Sequence, residues 1–281
     1  MEKKSKIRKK TIYVYSFLIL IITISTIYVI IYIINSFSSR KQAKEESNLL
    51  NTIATKQNAN LQVEETTIEQ EEIAKEENQS MERKTERMIQ VENLQKENSD
   101  VVGWIEIEDT GINYPVLQGT DNEYYMTHNY KKQKSRNGSI FLNKDYDWTI
   151  PSSNLLIYGH NLNNGVMFQE LLKYEKESFY KKHPNIRFTT EKEDAEFEII
   201  SVFKSRVYYK SEKNVFRYYY FINAESEEEY NQFITNVKKA SLYNIDATAQ
   251  YNEQLITLST CAYYVEDGRF VVVGRKKAND F

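Results

Sequence analysis

The chain has 281 residues, 41% of them hydrophobic and 27% charged, with one cysteine and three histidines. That length builds one or two domains with a sizeable core. A lone cysteine excludes an intrachain disulfide framework and a cysteine-built zinc site, and His128, His160 and His183 are too scattered for a histidine metal cluster. The net charge of −3 is unevenly spread. Residues 1–44 hold nine Lys/Arg and one acid, residues 45–100 hold fourteen acids and six bases, and residues 101–281 hold 22 bases and 25 acids. A largest segment so near neutrality argues against a nucleic-acid partner.

In chain order, the first feature is an uncharged run from Thr11 to Ser39 whose apolar heart is Ile12 to Ile34. As a helix that heart would be about 35 Å long, enough to cross a hydrocarbon core of roughly 30 Å. Lys3, Lys4, Lys6, Arg8, Lys9 and Lys10 precede it and only Arg40, Lys41 and Lys44 come soon after it. The positive-inside bias therefore keeps residues 1–11 cytoplasmic and sends the remainder outside the cell membrane. A cleaved signal peptide shares the basic start. The run is too long for an ordinary signal core, however, and no A-x-A-like site succeeds it, so an uncleaved single-pass anchor is the expectation.

Residues 35–87 are expected to form an extracellular stalk, helical or partly disordered, because their Glu, Lys, Gln and Asn cannot bury much apolar surface. All glycines and prolines lie between Gly103 and Gly274. Met81, Met88, Val91 and Leu94 recur at near-helical spacing, so the last turns of the stalk should pack on the domain C-terminal to them. The folded domain is therefore placed at 88–281.

From about residue 101 the pattern becomes short strands with turn signals: Gly103–Ile107, Tyr114–Leu117, Ser139–Leu142, Asn154–Tyr158, Ile186–Thr189, Glu196–Phe203, Tyr218–Ile222, Gln254–Thr260 and Arg269–Gly274. Helices are expected at Val166–Tyr174 and Glu227–Leu242, the second opened by a Ser226/Glu229 capping box. Eight or nine strands at this spacing predict a mostly β domain with added helices, a closed or nearly closed barrel.

Three side chains stand out. Leu255 to Cys261 reads as a strand, Ala262 to Gly268 as a loop with an Asp-Gly turn signal, and Arg269 to Gly274 as a returning strand. If the loop closes a hairpin, Cys261 and Arg269 oppose each other with Cβ atoms about 5 Å apart. Equally, Cys261 could be a small buried hydrophobe and Arg269 a solvated strand end. His160 comes just after a strand expected to be buried and a glycine that permits close approach, where an imidazole can protonate a leaving amine; a surface or capping histidine is the alternative. His128 and His183 stand in polar, loop-like contexts. Tyr208-Tyr209 and Tyr218-Tyr219-Tyr220 could line a groove, although strand packing is their more common use.

Thr257-Leu258-Ser259-Thr260-Cys261 resembles the TLxTC signature of sortases, the cell-wall cysteine transpeptidases of Gram-positive bacteria. Tyr158-Gly159-His160-Asn161 looks like that family's histidine segment, and Arg269 falls where the family carries its essential arginine. The helix before the cysteine strand, with Met167-Phe168 and Leu171 to Tyr174 after the histidine, is similar to class B. The likeness spans roughly residues 88–277 and implies a sortase-like eight-stranded β-barrel. It further implies Cys261 as nucleophile, His160 as general acid and Arg269 as donor to the substrate carbonyl, with Thr260, Ser259 and Asn161 on the substrate side. Partners would be an NPxT-like sorting peptide and a peptidoglycan amine; no metal or other cofactor is expected. Many class B members carry an acid directly after the cysteine, whereas this chain has Ala262, so no acidic third member acts there. A pilin polymerase, a thiol hydrolase or a non-catalytic scaffold would share much of this sequence.

Overall fold

The computed structural model describes residues 18–38, 41, 85–162, 165–263 and 265–278. The tail 1–11, the first residues of the apolar run and most of the expected stalk, Met81 included, lie outside the described residues. Helix α1, Leu18–Ser38, is long and apolar enough to cross a membrane, and none of the residues of its apolar window is buried inside the rest of the chain. That fits a single-pass anchor.

Helix α2, Glu86–Glu97, is capped by Thr85, whose hydroxyl oxygen accepts the Met88 N–H at 3.3 Å. Its Val91 and Leu94 are fully buried against Val101, Trp104, Leu117 and Phe141, so the near-helical spacing of apolar residues marks a docked helix. Each such side chain stabilises by about 1.5–3 kcal/mol. A chain beginning near residue 80 should therefore be soluble, monodisperse and peptide-cleaving, whereas one beginning after Glu97 should aggregate through the uncovered Trp104 face. Size-exclusion chromatography and peptide cleavage check both; inactivity of the longer chain beside an active full-length protein would move the boundary.

The barrel strands are β1 Val101–Glu106, β2 Asn113–Leu117, β3 Ile140–Leu142, β4 Asn154–Tyr158, β5 Asn185–Thr189, β6 Asp194–Arg206, β7 Leu255–Cys261 and β8 Gly268–Lys276. They close in the order β1-β2-β3-β4-β7-β8-β6-β5. The β2–β3 and β4–β7 pairs are parallel and the others antiparallel. Leu155 and Ile157 of β4 point into the barrel core with Ile256 and Leu258 of β7, while Leu156, Leu255, Val271 and Val273 lie under Tyr230, Phe233 and Val237 of a later helix. Burial on both faces explains why these strands read as continuous apolar runs.

Two elements differ from expectation. Tyr218–Tyr220 is a 3-10 turn, not a strand. Buried Tyr218 instead packs edge-on against Phe203, and Phe221 stacks on Phe233, so tertiary contacts override the β-propensity of aromatic residues. The expected helix Val166–Tyr174 is a 3-10 segment, Phe168–Glu175, succeeded by a short helix α3, Glu177–Lys182. Helix α4, Glu227–Ala240, starts on Ser226, which accepts the Glu229 N–H at 3.2 Å. The return bond of the capping box runs one residue further out, from the Glu225 N–H to Glu229 Oε2 at 2.9 Å.

Candidate active site

Antiparallel β7 and β8 place Cys261 directly opposite Arg269. The hairpin is closed by the Ala262 N–H donating to Gly268 O at 2.9 Å. Only glycine fits at 268, because a Cβ there would come within 2.0 Å of the Ala262 carbonyl oxygen. Arg269 Nη1 donates to the carbonyls of Asp267 and Gly268 at 3.2 and 2.9 Å, which ties one arm of the guanidinium to its own loop.

The parallel β4–β7 pair brings in the histidine. Asn154 pairs with Leu255 and Tyr158 with Ser259; two positions further along both chains stand His160 and Cys261. The strand ends are stapled beyond the regular ladder by the Gly159 N–H to Ser259 O at 3.2 Å and by Thr260 Oγ1–H to Gly159 O at 2.7 Å. Gly159 is a packing requirement, since a Cβ would lie 2.4 Å from Ile140 Cδ1 and 2.7 Å from Phe168 Cγ. Gly159→Ala should therefore destabilise the protein by about 1–3 kcal/mol and lower turnover by moving His160. Unchanged denaturant unfolding and unchanged cleavage would refute that reading of the glycine.

The thiol, the imidazole and the guanidinium line one cavity of about 230 Å³. Met126, Phe141, Tyr158, Val207 and Tyr219 make most of its apolar wall. His160 Nε2 lies 2.6 Å from the Met126 carbonyl oxygen. Among the described residues no hydrogen bond joins thiol and imidazole; catalytic contacts commonly tighten only with substrate bound. Burial raises the titration of Tyr158 and Tyr218 above that of an ordinary phenol, although hydrogen bonds from Asn143 and with Ser259 and the Arg269 charge oppose the shift. Both hydroxyls therefore stay neutral and available as hydrogen-bond donors.

Of the other expected site residues, Ser259 and Thr260 also line the cavity; Ser259 Oγ lies 2.7 Å from the Tyr218 hydroxyl. Asn161 does not line this cavity; it is buried and donates from Nδ2 to the Cys261 carbonyl at 2.8 Å, holding the peptide just after Cys261. His128 and His183 stand outside the cavity, their Nδ1 atoms against the carbonyls of Tyr124 and Glu108. Tyr218 and Tyr219 do line the groove, whereas their sequence context suggested strand packing. Asn122 and Val207 come from loops and Met126 from a 3-10 turn, and none of the three gave a sequence signal. Among the described residues no three His, Cys, Asp or Glu side chains converge as metal ligands.

A profile of the family described as Sortase domain matches residues 105–277. The chain belongs to the sortase family. Sortase B of Listeria monocytogenes is 38% identical over 192 residues, which cover 66% of this chain and 73% of that relative. The structure of Staphylococcus aureus sortase B superposes with a TM-score of 0.64 at 28% identity, covering 85% of this sortase and 98% of the other chain. A Staphylococcus aureus sortase B–substrate complex gives a TM-score of 0.60 at 32% identity, covering 68% and 86%. This sortase is thus a class B cysteine transpeptidase with the eight-stranded barrel of its relatives. The departure noted in sequence stands within that family: Ala262, buried, comes directly after the cysteine.

Proposed function

We propose that this sortase cleaves an NPxT-like sorting signal after its threonine and joins the released surface protein to a peptidoglycan amine. Cys261 Sγ attacks the threonine carbonyl, the C–N bond breaks, and His160 gives a proton to the leaving amine. Arg269 donates to the oxyanion that develops on the carbonyl, Ser259 and Thr260 shape the pocket on the substrate side, and Asn161 acts there only by holding the Cys261 main chain. The incoming amine then resolves the thioester. The observation that carries this reading is the convergence of Cys261, His160 and Arg269 on one mostly apolar cavity, the same cavity into which a sorting peptide would lay its threonine.

On the same reading residues 1–11 lie in the cytoplasm, 12–34 in the membrane, 35–87 form the extracellular stalk and 88–281 the catalytic domain outside the cell. The charge asymmetry around α1 supports that orientation. Full-length protein in detergent, incubated with sorting peptides with and without an amine acceptor, tests the function. Joined product with acceptor and slow hydrolysis without it are expected. Hydrolysis alone would make the protein a thiol hydrolase, and cleavage of neither peptide a scaffold.

A further inference from the structure

The imidazole of His160 needs something to hold its ring while a proton moves, and among the described residues no carboxylate lines the cavity to do it. The titratable or charged side chains around the cavity are Cys261, Arg269, Tyr158, Tyr218 and Tyr219, and the position after the cysteine is Ala262. What does face the ring is a main-chain carbonyl, Met126 O, 2.6 Å from Nε2. A carbonyl oxygen can only accept, so Nε2 carries a hydrogen in both the neutral and the protonated ring. Nδ1 has no hydrogen-bond partner among the described residues.

The turn that carries that carbonyl is itself tied down by hydrogen bonds. Asp121 precedes the 3-10 turn Tyr124–Met126, and its Oδ1 accepts the N–H groups of Glu123 and Tyr124 at 2.8 and 2.7 Å. The Ser139 N–H donates to Tyr125 O at 2.8 Å. Against this turn lies Gly138 at φ +60°, where a Cβ would stand 2.6 Å from Met126 O and 2.7 Å from Tyr125 O.

The geometry points to the Met126 carbonyl, seated by Gly138, as the group that orients His160 so that Nδ1 is the atom exchanging the proton with the leaving and incoming amines. This rests on the general-acid role proposed above for His160. In acylation Nδ1 takes the Cys261 thiol proton as Sγ attacks and passes it to the leaving nitrogen as its C–N bond breaks; in resolution Nδ1 takes the proton from the attacking amine as the new C–N bond forms and returns it to Sγ as the thioester C–S bond breaks. A neutral acceptor fixes the ring without placing a negative charge beside it. Met126 and Gly138 are positioning residues.

The test is ¹⁵N NMR of histidine-labelled full-length protein in detergent, with His160 assigned by its loss in His160→Gln. The expected result is a neutral ring protonated at Nε2 with a lone-pair-type Nδ1; an Nδ1–H tautomer overturns the proposal. Gly138→Ala should disturb the Nε2–H signature and lower turnover at least about tenfold. Gly165→Ala, with a similar backbone strain at φ +81° but no close main-chain contact, should alter neither. A Gly138→Ala protein that keeps the Nε2–H signature, whatever its turnover, overturns the link through Met126. If Gly138→Ala fails to fold, the wild-type tautomer decides alone. Cleavage by His160→Gln would instead sink the general-acid assignment, and the tautomer measurement does not depend on it.

Discussion

Cys261→Ala should abolish peptide cleavage while the barrel stays folded. The half-buried thiol sits at the last position of β7, and the contacts that hold the strand end are made by its neighbours. Thr260 is bonded to Gly159, the Ala262 N–H to Gly268, and Asn161 to the main-chain carbonyl of residue 261 itself. None of these needs the sulfur. Replacing a thiol by a hydrogen in this place should change stability by about 1 kcal/mol or less, a small shift in thermal midpoint. No other cysteine exists in the chain to substitute for it. Parallel thermal unfolding and sorting-peptide assays check both halves, and retained cleavage would end the nucleophile assignment.

Arg269→Lys should lower turnover by about a hundredfold or more, the loss expected for a missing oxyanion donor. The guanidinium anchors Nη1 on the Asp267 and Gly268 carbonyls while Arg269 lines the cavity. A planar fork can be fixed through one nitrogen and still present other N–H groups toward a substrate. A lysine has one nitrogen, which must either keep the loop contacts or meet the substrate. If Arg269 serves only through its positive charge, lysine should retain most of the activity. The defect should lie in acylation, read by a single-turnover assay, with Cys261 still alkylated by a small reagent. Near-wild-type acylation by the lysine variant would remove Arg269 from the oxyanion role.

The residue pattern alone determined the parts of this protein that are local or nearly so. The apolar run that includes α1 is legible because a membrane span is a matter of length and charge. The opposition of Cys261 and Arg269 comes from a short loop between two strands adjacent in sequence, since a hairpin fixes its own register. Ser226 announces α4 because a cap acts within one turn. Helix α2 shows in the spacing of Met88, Val91 and Leu94, three residues on one face.

Tertiary structure decided what depends on contacts distant in sequence. The parallel β4–β7 pairing that sets His160 beside Cys261 joins segments a hundred residues apart, and no local pattern states a parallel register. The aromatic run around Tyr218 has the composition of a strand, but a buried site beneath α4 bends it into a turn that lines the cavity. Most telling is the imidazole's partner. Met126 acts through a backbone carbonyl, a group every residue carries, so its selection by the fold left no trace in the side-chain sequence.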